Sequence, residues 1–283
     1  MKTIVKNLMP QILFNIIKQI RYILQGGVKG NFKNFKEANK YLKDKGLGNY
    51  SNSGIEKNVY TAVNEVRNNR AEFERDGVLF FQKNYNYPVL ANLLYTIAVI
   101  EKKHKYSNVL DFGGSLGSTF FQNRDKLSMF NCIWGIVEQR AFVDMGKQHI
   151  PEISFYDSVE EYALNHRCDI CLLSGVIQYF DEPYKWIKRI LDLNFQWIIL
   201  DRMLFNIINL DRCAIQYVPS EIYDAQYPIW LLDKEKLVNY ILSAGYELIE
   251  SWESFDRTPV KMSFFKYEIF EGEGMLFSKR DVL

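Results

Sequence analysis

The chain has 283 residues, 48% of them hydrophobic, and its 35 Lys plus Arg balance 34 Asp plus Glu. This near-neutral charge excludes a globally basic nucleic-acid binder, and the apolar content excludes a wholly disordered chain. Four cysteines are too few for a disulfide scaffold of this length, and the three histidines lack metal-ligand spacing. The sequence therefore predicts a cytoplasmic protein without a metal site.

The first 48 residues carry a local excess of positive charge, with ten Lys or Arg against Glu37 and Asp44. Apolar residues recur at helical spacing from Val5 to Ile23, which predicts an amphipathic helix over residues 1–24. Two interpretations stay open: this helix packs on the chain's own core, or it lies on the anionic inner face of a membrane. No apolar run approaches the roughly 20 residues that a membrane span needs.

Residues 1–105 are expected to form a helical extension, with helices over Phe35–Lys45, Ile55–Phe81 and Val89–His104. Beyond residue 105, short apolar runs alternate with amphipathic segments of helix length, as in repeated βαβ units. The fold class predicted for residues 106–283 is therefore α/β, with a doubly wound, mostly parallel Rossmann-like sheet. The predicted strands are Asn108–Phe112, Cys132–Val137, Ile153–Tyr156, Asp169–Ser174, Phe195–Leu200, Tyr246–Trp252 and Ser263–Lys279, and the predicted helices are Ser118–Lys126, Ala141–His149, Val159–Asn165, Pro183–Leu193 and Asp233–Ala244.

A glycine-rich turn follows the first predicted strand, in the run Val109-Leu-Asp-Phe-Gly-Gly-Ser-Leu-Gly117. Glycines in a turn between a strand and a helix let a ligand approach backbone N–H groups that a Cβ would block. Asp111 at the strand end can accept a hydrogen bond from a ligand ammonium. Glu138 ends the next strand, 21 residues past Gly117, where a carboxylate can accept both ribose hydroxyls. The combination predicts an adenosine cofactor.

The acid at the strand end bears on which adenosine cofactor binds. Asp111 would repel the pyrophosphate of a dinucleotide, whereas it suits the ammonium and sulfonium groups of S-adenosylmethionine. S-adenosylmethionine is therefore the predicted cofactor. A nicotinamide-dependent oxidoreductase or epimerase would also have an acid at the position of Glu138. This sequence, however, lacks the second phosphate-cradling glycine and the Tyr-x-x-x-Lys pair that such an enzyme needs. A non-catalytic interaction protein with the cofactor fold also stays open.

Several runs, taken in order, resemble a group of class I S-adenosylmethionine-dependent methyltransferases associated with bacterial surface-polysaccharide gene sets. The resemblance spans roughly residues 55–283 and implies a seven-stranded sheet with the last strand antiparallel, a cofactor over the first two strand ends, and methyl transfer. One departure is that the common turn reads acid-x-Gly-x-Gly-x-Gly, an alternation that Gly114-Ser115-Leu116 interrupts here. The runs are Val109–Arg124, Val137–Gln139, Leu173–Tyr179, Asp201-Arg202 and Tyr223–Trp230.

The resemblance also assigns cofactor roles by position. For the aromatic side chains of Phe155 and Tyr156, packing in the core remains the alternative to contact with the adenine. The residues are Asp111, Gly113, Gly114 and Gly117 for the methionine moiety, Glu138 with its neighbour Gln139 for the ribose, Phe155, Tyr156 and Asp157 for the adenine, and Ser174 and Gly175 for the sulfonium.

The acceptor is expected at the same sheet edge, because ligands of open α/β sheets bind outside the carboxyl ends of the strands. The candidate catalytic residues follow the fourth and fifth strands and are Gln178, Tyr179, Asp201 and Arg202, with Asp201 as the candidate base if the acceptor is a hydroxyl. The alternative is that Asp201 and Arg202 form a structural ion pair or a loop cap.

Residues 203–230 exceed an ordinary loop and are predicted to form an acceptor lid, or alternatively an interface or core plug. The expected function is methylation of a hydroxyl on a sugar or related small acceptor in surface-glycan biosynthesis, with no nucleic acid as partner and an undetermined oligomeric state. The candidate acceptor-binding residues are Arg212, Gln216, Tyr217, Tyr223, Gln226, Tyr227 and Trp230.

Overall fold

The computed structural model describes residues 26–47, 55–83, 87–218, 225–262 and 266–280. The predicted helix over residues 1–24 lies outside them. The described residues divide into two compact units. Unit 1 draws on residues 1–51, 212–231 and 257–270, and unit 2 on residues 52–211, 232–256 and 271–283. This division differs from the predicted boundary after residue 105.

The elements are numbered in chain order. They are β1 (Gly27–Phe32), α1 (Phe35–Asp44), α2 (Ile55–Arg67), β2 (Phe73–Arg75), β3 (Val78–Phe80), α3 (Tyr87–Lys103), β4 (Ser107–Phe112), α4 (Ser118–Leu127), β5 (Cys132–Val137), α5 (Arg140–His149), β6 (Ser154–Tyr156), α6 (Val159–Asn165), β7 (Ile170–Ser174), a 3-10 turn (Ile177–Tyr179), α7 (Pro183–Asp192), β8 (Trp197–Met203), β9 (Arg212–Tyr217), β10 (Gln226–Leu231), α8 (Lys234–Ser243), β11 (Tyr246–Lys261) and β12 (Tyr267–Lys279).

Unit 2 is built on a doubly wound sheet with the strand order β11-β12-β8-β7-β4-β5-β6. Strands β6, β5, β4, β7 and β8 are parallel, and β12 is antiparallel to β8. This confirms the predicted α/β class and the antiparallel last strand. The chain first adds strands on one side of β4 and then on the other, so the topological switch point lies between β4 and β7.

The central strand β4 is buried along its whole length, because helices cover both faces of a parallel sheet. On one face, Val109 packs in a cluster with Leu93 and Ile97 of α3 and with Phe121 of α4. On the other face, Phe112 lies against the ring of Trp186 in α7. Each buried aliphatic side chain contributes about 1.5–3 kcal/mol of transfer free energy, which fixes the carboxyl end of β4 in place.

The helix predicted over Ile55–Phe81 is wrong beyond residue 67. Helix α2 ends there, and β2 and β3 form a hairpin across Asp76 and Gly77. Both turn residues have positive φ, +50° and +80°, which suits the tight turn that joins two twisted antiparallel strands. Stacking of Phe73 on Phe80 at 4.5 Å closes the hairpin.

Unit 1 contains strands that the sequence analysis did not predict. β9 pairs antiparallel with both β1 and β10, and β1 runs parallel to the end of β11, with Val28 opposite Val260. Residues 203–230 therefore hold two strands instead of the expected loop, and β11 continues past Trp252. Helix α1, whose N-cap Asn34 accepts from the Glu37 N–H, packs Phe35 and its neighbours on β9 and β10.

Candidate functional site

The glycine-rich turn after β4 surrounds the carboxylate of Asp111. This side chain is 1% exposed, and a Cβ on Gly114 would lie only 2.4 Å from its Cγ, so only glycine leaves room for the carboxylate. Gly113 and Gly117 have φ of +73° and +92°, a region that other residues seldom adopt. The glycines therefore allow the turn to fold closely over the Asp111 carboxylate.

Asp111 has an unusual electrostatic environment for a carboxylate. Its Oδ2 atom is buried and has no hydrogen-bond partner within the described part of the chain. Burial, and to a smaller extent the nearby charge of Glu138, raises the pKa of Asp111 to about 7, although the indole of Trp134 acts in the opposite direction. An uncompensated buried acid is costly, and a bound cation would relieve that cost.

Glu138 follows β5 and reaches back to the same turn. Its Oε2 accepts from the Gln139 N–H at 2.6 Å, and the Ser115 N–H of the turn also stabilises its charge. Burial raises the pKa of Glu138, and these two backbone donors lower it. The structure thus brings the two predicted acids of neighbouring strands to one place, with the exposed Gln139 beside them at the start of α5.

Three residues at the end of β6 were predicted to contact the adenine, and each has a different environment. Phe155 is 3% exposed and packs against Gly146, so it belongs to the core. The Tyr156 hydroxyl contacts the His166 Nε2 atom at 2.5 Å. Asp157 is accessible and accepts from the Arg140 guanidinium at 2.8 Å, which holds its carboxylate beside the start of α5.

Asp201 lies at the end of β8, opposite Ser174 of β7. Its carboxylate is 1% exposed and accepts from the Ser174 hydroxyl and from the Trp252 indole, both at 3.2 Å. The indole passes over Gly274 of β12, where a Cβ would lie 2.1 Å from a ring atom. The Gly175 N–H donates to the Asp201 carbonyl at 2.8 Å, so the predicted sulfonium contacts and the predicted base are neighbours.

Gln178 joins the loops that follow β7 and β8. Its side-chain amide donates to the Arg202 carbonyl and accepts from the Leu204 N–H, both at 3.3 Å, and the residue is 2% exposed. Gln178 therefore holds the backbone of residues 202–204 in place, whereas the sequence analysis predicted that it is a catalytic residue. Tyr179, next to it, is partly exposed at the end of the 3-10 turn.

The predicted acceptor-binding residues lie in unit 1 on β9 and β10, and Tyr223 lies outside the described residues. The Arg212 guanidinium donates to the carbonyl of Gly30 at 2.7 Å and to that of Lys261 at 2.8 Å, which ties three strands together. Trp230 stacks on Phe35 at 5.9 Å. The remaining four residues form two cross-strand pairs, Gln216 opposite Tyr227 and Gln226 opposite Tyr217.

One buried acid beside the turn escaped the sequence analysis. Glu74 of the β2–β3 hairpin is 2% exposed, and it accepts from the hydroxyl of Ser118, the first residue of α4, and from the Gly77 N–H. Burial raises the pKa of Glu74. The Asp76-Gly77 dipeptide was the available signal, since it marks a hairpin where a helix was expected.

The remaining features of the described residues add no further chemistry. Burial raises the pKa of Cys132 to about 12 and that of Cys168 to about 11, so these thiols are poor nucleophiles at neutral pH. Within the described ranges, no cluster of His, Cys, Asp and Glu could hold a metal ion. No described helix is long and apolar enough to cross a bilayer.

Comparisons with known proteins gave structural likenesses only. No family model and no curated protein matches the chain. The N-terminal domain of EvdMO1, crystallised in the presence of S-adenosylhomocysteine and D-fucose, is 15% identical with a TM-score of 0.44, covering 74% of this chain and 90% of that one. A Burkholderia thailandensis 1,6-didemethyltoxoflavin-N1-methyltransferase is 12% identical with a TM-score of 0.41, covering 90% and 94%. An S-adenosylmethionine-dependent methyltransferase from Clostridium acetobutylicum is 11% identical with a TM-score of 0.43, covering 69% and 92%.

Proposed function

We propose that this protein is a class I S-adenosylmethionine-dependent methyltransferase. The observation that carries the proposal is the buried Asp111 carboxylate, with its unpartnered Oδ2 under Gly114 and the Glu138 carboxylate at the adjacent strand end. A ligand that offers a cation to the first acid and ribose hydroxyls to the second fits this pair. A dinucleotide would bring its pyrophosphate close to the Asp111 carboxylate, whose charge would repel it.

The remaining cofactor contacts follow from the fold. Asp111 takes the ammonium, Glu138 the ribose hydroxyls, and the N–H groups of the glycine turn the carboxylate of the methionine moiety. Asp157 accepts from the adenine amine, and the Tyr156 ring packs beside the base. These assignments are supported by the positions of the residues at three successive strand ends, β4, β5 and β6.

When bound, S-adenosylmethionine supplies an electrophilic methyl group that moves from sulfur to an acceptor oxygen as the sulfur–carbon bond breaks. The chain's own residues position the acceptor and exclude water, because an in-line displacement needs little covalent help. Asp201 takes the proton of the acceptor hydroxyl at a carboxylate oxygen. The Ser174 and Trp252 donors hold that carboxylate in place at the edge of the sheet.

We place the acceptor among sugars or related small hydroxyl compounds, in the biosynthesis of surface glycans. The resemblance to methyltransferases of polysaccharide gene sets supports this placement. Transfer of labelled methyl groups to a panel of nucleotide sugars and glycans tests it, and labelling of nucleic acid alone would contradict it.

Calorimetric titration with S-adenosylmethionine, S-adenosylhomocysteine and NAD tests the cofactor. We expect both sulfur ligands to bind, and Glu138→Gln to weaken them at least about tenfold through the lost ribose contacts. Asp144→Asn, which removes an exposed acid of α5, is the matched control and should bind as the wild type does. Binding of NAD alone would instead support the nicotinamide-dependent alternative. Cofactor binding without transfer to any acceptor would support an interaction protein.

The basic segment 1–24 is proposed to contact an anionic membrane face. Sedimentation with anionic and with neutral vesicles tests this contact. Replacement of Lys18 and Arg21 by Glu should abolish binding to the anionic vesicles. Equal sedimentation of the wild type with both kinds of vesicle would count against the contact.

A further inference from the structure

Arg202 lies in an unusual stretch of strand β8. Residues 201 and 202 stand opposite Gly274 alone, because Met203 pairs with Glu273 and Leu200 pairs with Met275 on β12. Two residues opposite one make a β-bulge. Arg202 has a φ of +57°, which residues other than glycine seldom adopt. Bulges next to active sites re-aim side chains, and this one redirects the Arg202 guanidinium.

The bulge is held in place from two directions. On one side, the Gln178 amide donates to the Arg202 carbonyl at 3.3 Å. On the other, the Trp252 indole lies over Gly274 and donates to Asp201. Backbone strain persists only where neighbouring contacts enforce it, and such positions cluster at functional sites.

The re-aimed side chain lies against the end of β7. A Cβ built on Gly175 would be 3.5 Å from the Arg202 Cβ and 3.6 Å from its guanidinium carbon. Gly175 itself has a φ of +63° and ends the strand beside the switch point. Arg202 is partly exposed there, so its guanidinium borders the edge of the sheet where an acceptor is expected.

We infer that Arg202 binds an anionic group of the acceptor, a phosphate or a carboxylate, so that the methyl acceptor is an acidic sugar derivative. This inference rests on the proposed methyltransferase function. The acids of the site, Asp111 and Glu138, lie at the ends of β4 and β5, whereas Arg202 lies near the end of β8, on the other side of the switch point. A planar guanidinium with several donors matches a phosphate or carboxylate, and such charge-assisted bonds are about twice as strong as neutral ones.

Binding of two probes, inorganic pyrophosphate and glucuronate, tests the inference by calorimetry on the full chain saturated with S-adenosylhomocysteine. We expect wild type to bind at least one probe and Arg202→Met to bind it about tenfold or more weakly. Arg202→Lys, which keeps the charge, should stay within about threefold. Preference for pyrophosphate identifies a nucleoside-diphosphate-linked acceptor, and preference for glucuronate identifies a uronic acid.

Two further variants separate this role from structural effects. Arg202→Gly removes the cation and fits the positive φ, so it should fold at least as well as wild type and still lose the probe. Arg70→Met removes an exposed guanidinium of unit 2 that pairs with Glu65 and should bind the probe normally. Failure of wild type to bind either probe, or equal binding by Arg202→Met, would overturn the inference. Loss of S-adenosylhomocysteine binding by wild type would overturn the proposed function instead.

Discussion

Replacing Asp111 by Asn should stabilise the protein without ligand and weaken cofactor binding. Asp111 is buried in the folded state, and its pKa of about 7 lies about three pH units above the usual value of 3.8. The unfolded chain therefore ionises Asp111 more readily than the folded chain does. Above pH 7, folding has to bury the charge, which lowers the free energy of unfolding by about 4 kcal/mol.

The Asn side chain removes this charge but leaves a buried amide without a partner, at a cost of about 1–3 kcal/mol. We therefore expect a net gain of about 1–3 kcal/mol at pH 8. The sign follows from the raised pKa. The wild-type penalty develops as pH rises from 3.8 to 7, so the advantage of Asp111→Asn should grow by about 2 kcal/mol between pH 5.5 and pH 8 and then level off.

Urea unfolding at these two pH values measures the difference, and titration with S-adenosylmethionine measures the affinity. Because the ionised carboxylate attracts the ammonium, wild-type affinity should rise up to about tenfold per pH unit below pH 7 and become constant above it. The Asn variant should bind weakly at every pH. A less stable Asp111→Asn protein at pH 8, or a wild-type affinity that does not change with pH, would refute the reasoning.

Three further changes test neighbouring parts of unit 2. Gly114→Ala places a methyl group 2.4 Å from the Asp111 Cγ and should weaken S-adenosylmethionine binding at least about tenfold, whereas Gly46→Asn, in open space, should not; calorimetry compares them. Asp169→Asn breaks a buried carboxylate's bonds to Arg167 and to the Asn108 backbone, and should lower the free energy of urea unfolding by about 3 kcal/mol. Trp252→Phe keeps a ring but removes the donor to Asp201, so labelled methyl transfer should slow while cofactor affinity stays constant; an unchanged rate would remove Asp201 from the mechanism.

The sheet of unit 2 was predictable because its strands are apolar runs buried on both faces and its helices are amphipathic. The ends of the predicted α6 helix, Val159–Asn165, match the structure, helped by the Ser158 N-cap that accepts from the Glu161 N–H. Unit 1 was harder, because residues distant in sequence complete its sheet. β9 buries three consecutive residues, Cys213, Ala214 and Ile215, between less buried neighbours, a short apolar run that the expectation of a loop obscured.

The site was predictable where a strand end fixes a residue's position. Asp111 and Glu138 meet because adjacent parallel strands bring their carboxyl ends together. The direction of a side chain was not predictable in the same way. Gln178 turns inward to bond the backbone of Arg202 and Leu204, and the Tyr156 hydroxyl turns to His166. Both directions depend on partners contributed by other elements.

Under the proposed function, the placement of charge along the sheet edge would direct two ligands to different positions. Asp111 and Glu138 lie at the ends of β4 and β5, and the charge of Glu138 adds to the burial that raises the pKa of Asp111, so that region favours a cation and resists a phosphate. Arg202 lies beyond the switch point, and its charge favours an anion. A cationic cofactor and an anionic acceptor would therefore each be repelled from the other's position before any shape is matched. A dinucleotide site places the pyrophosphate on the backbone N–H groups of this turn, where an acid would repel it, so the strand-end acid weighs more than the glycines in assigning the cofactor.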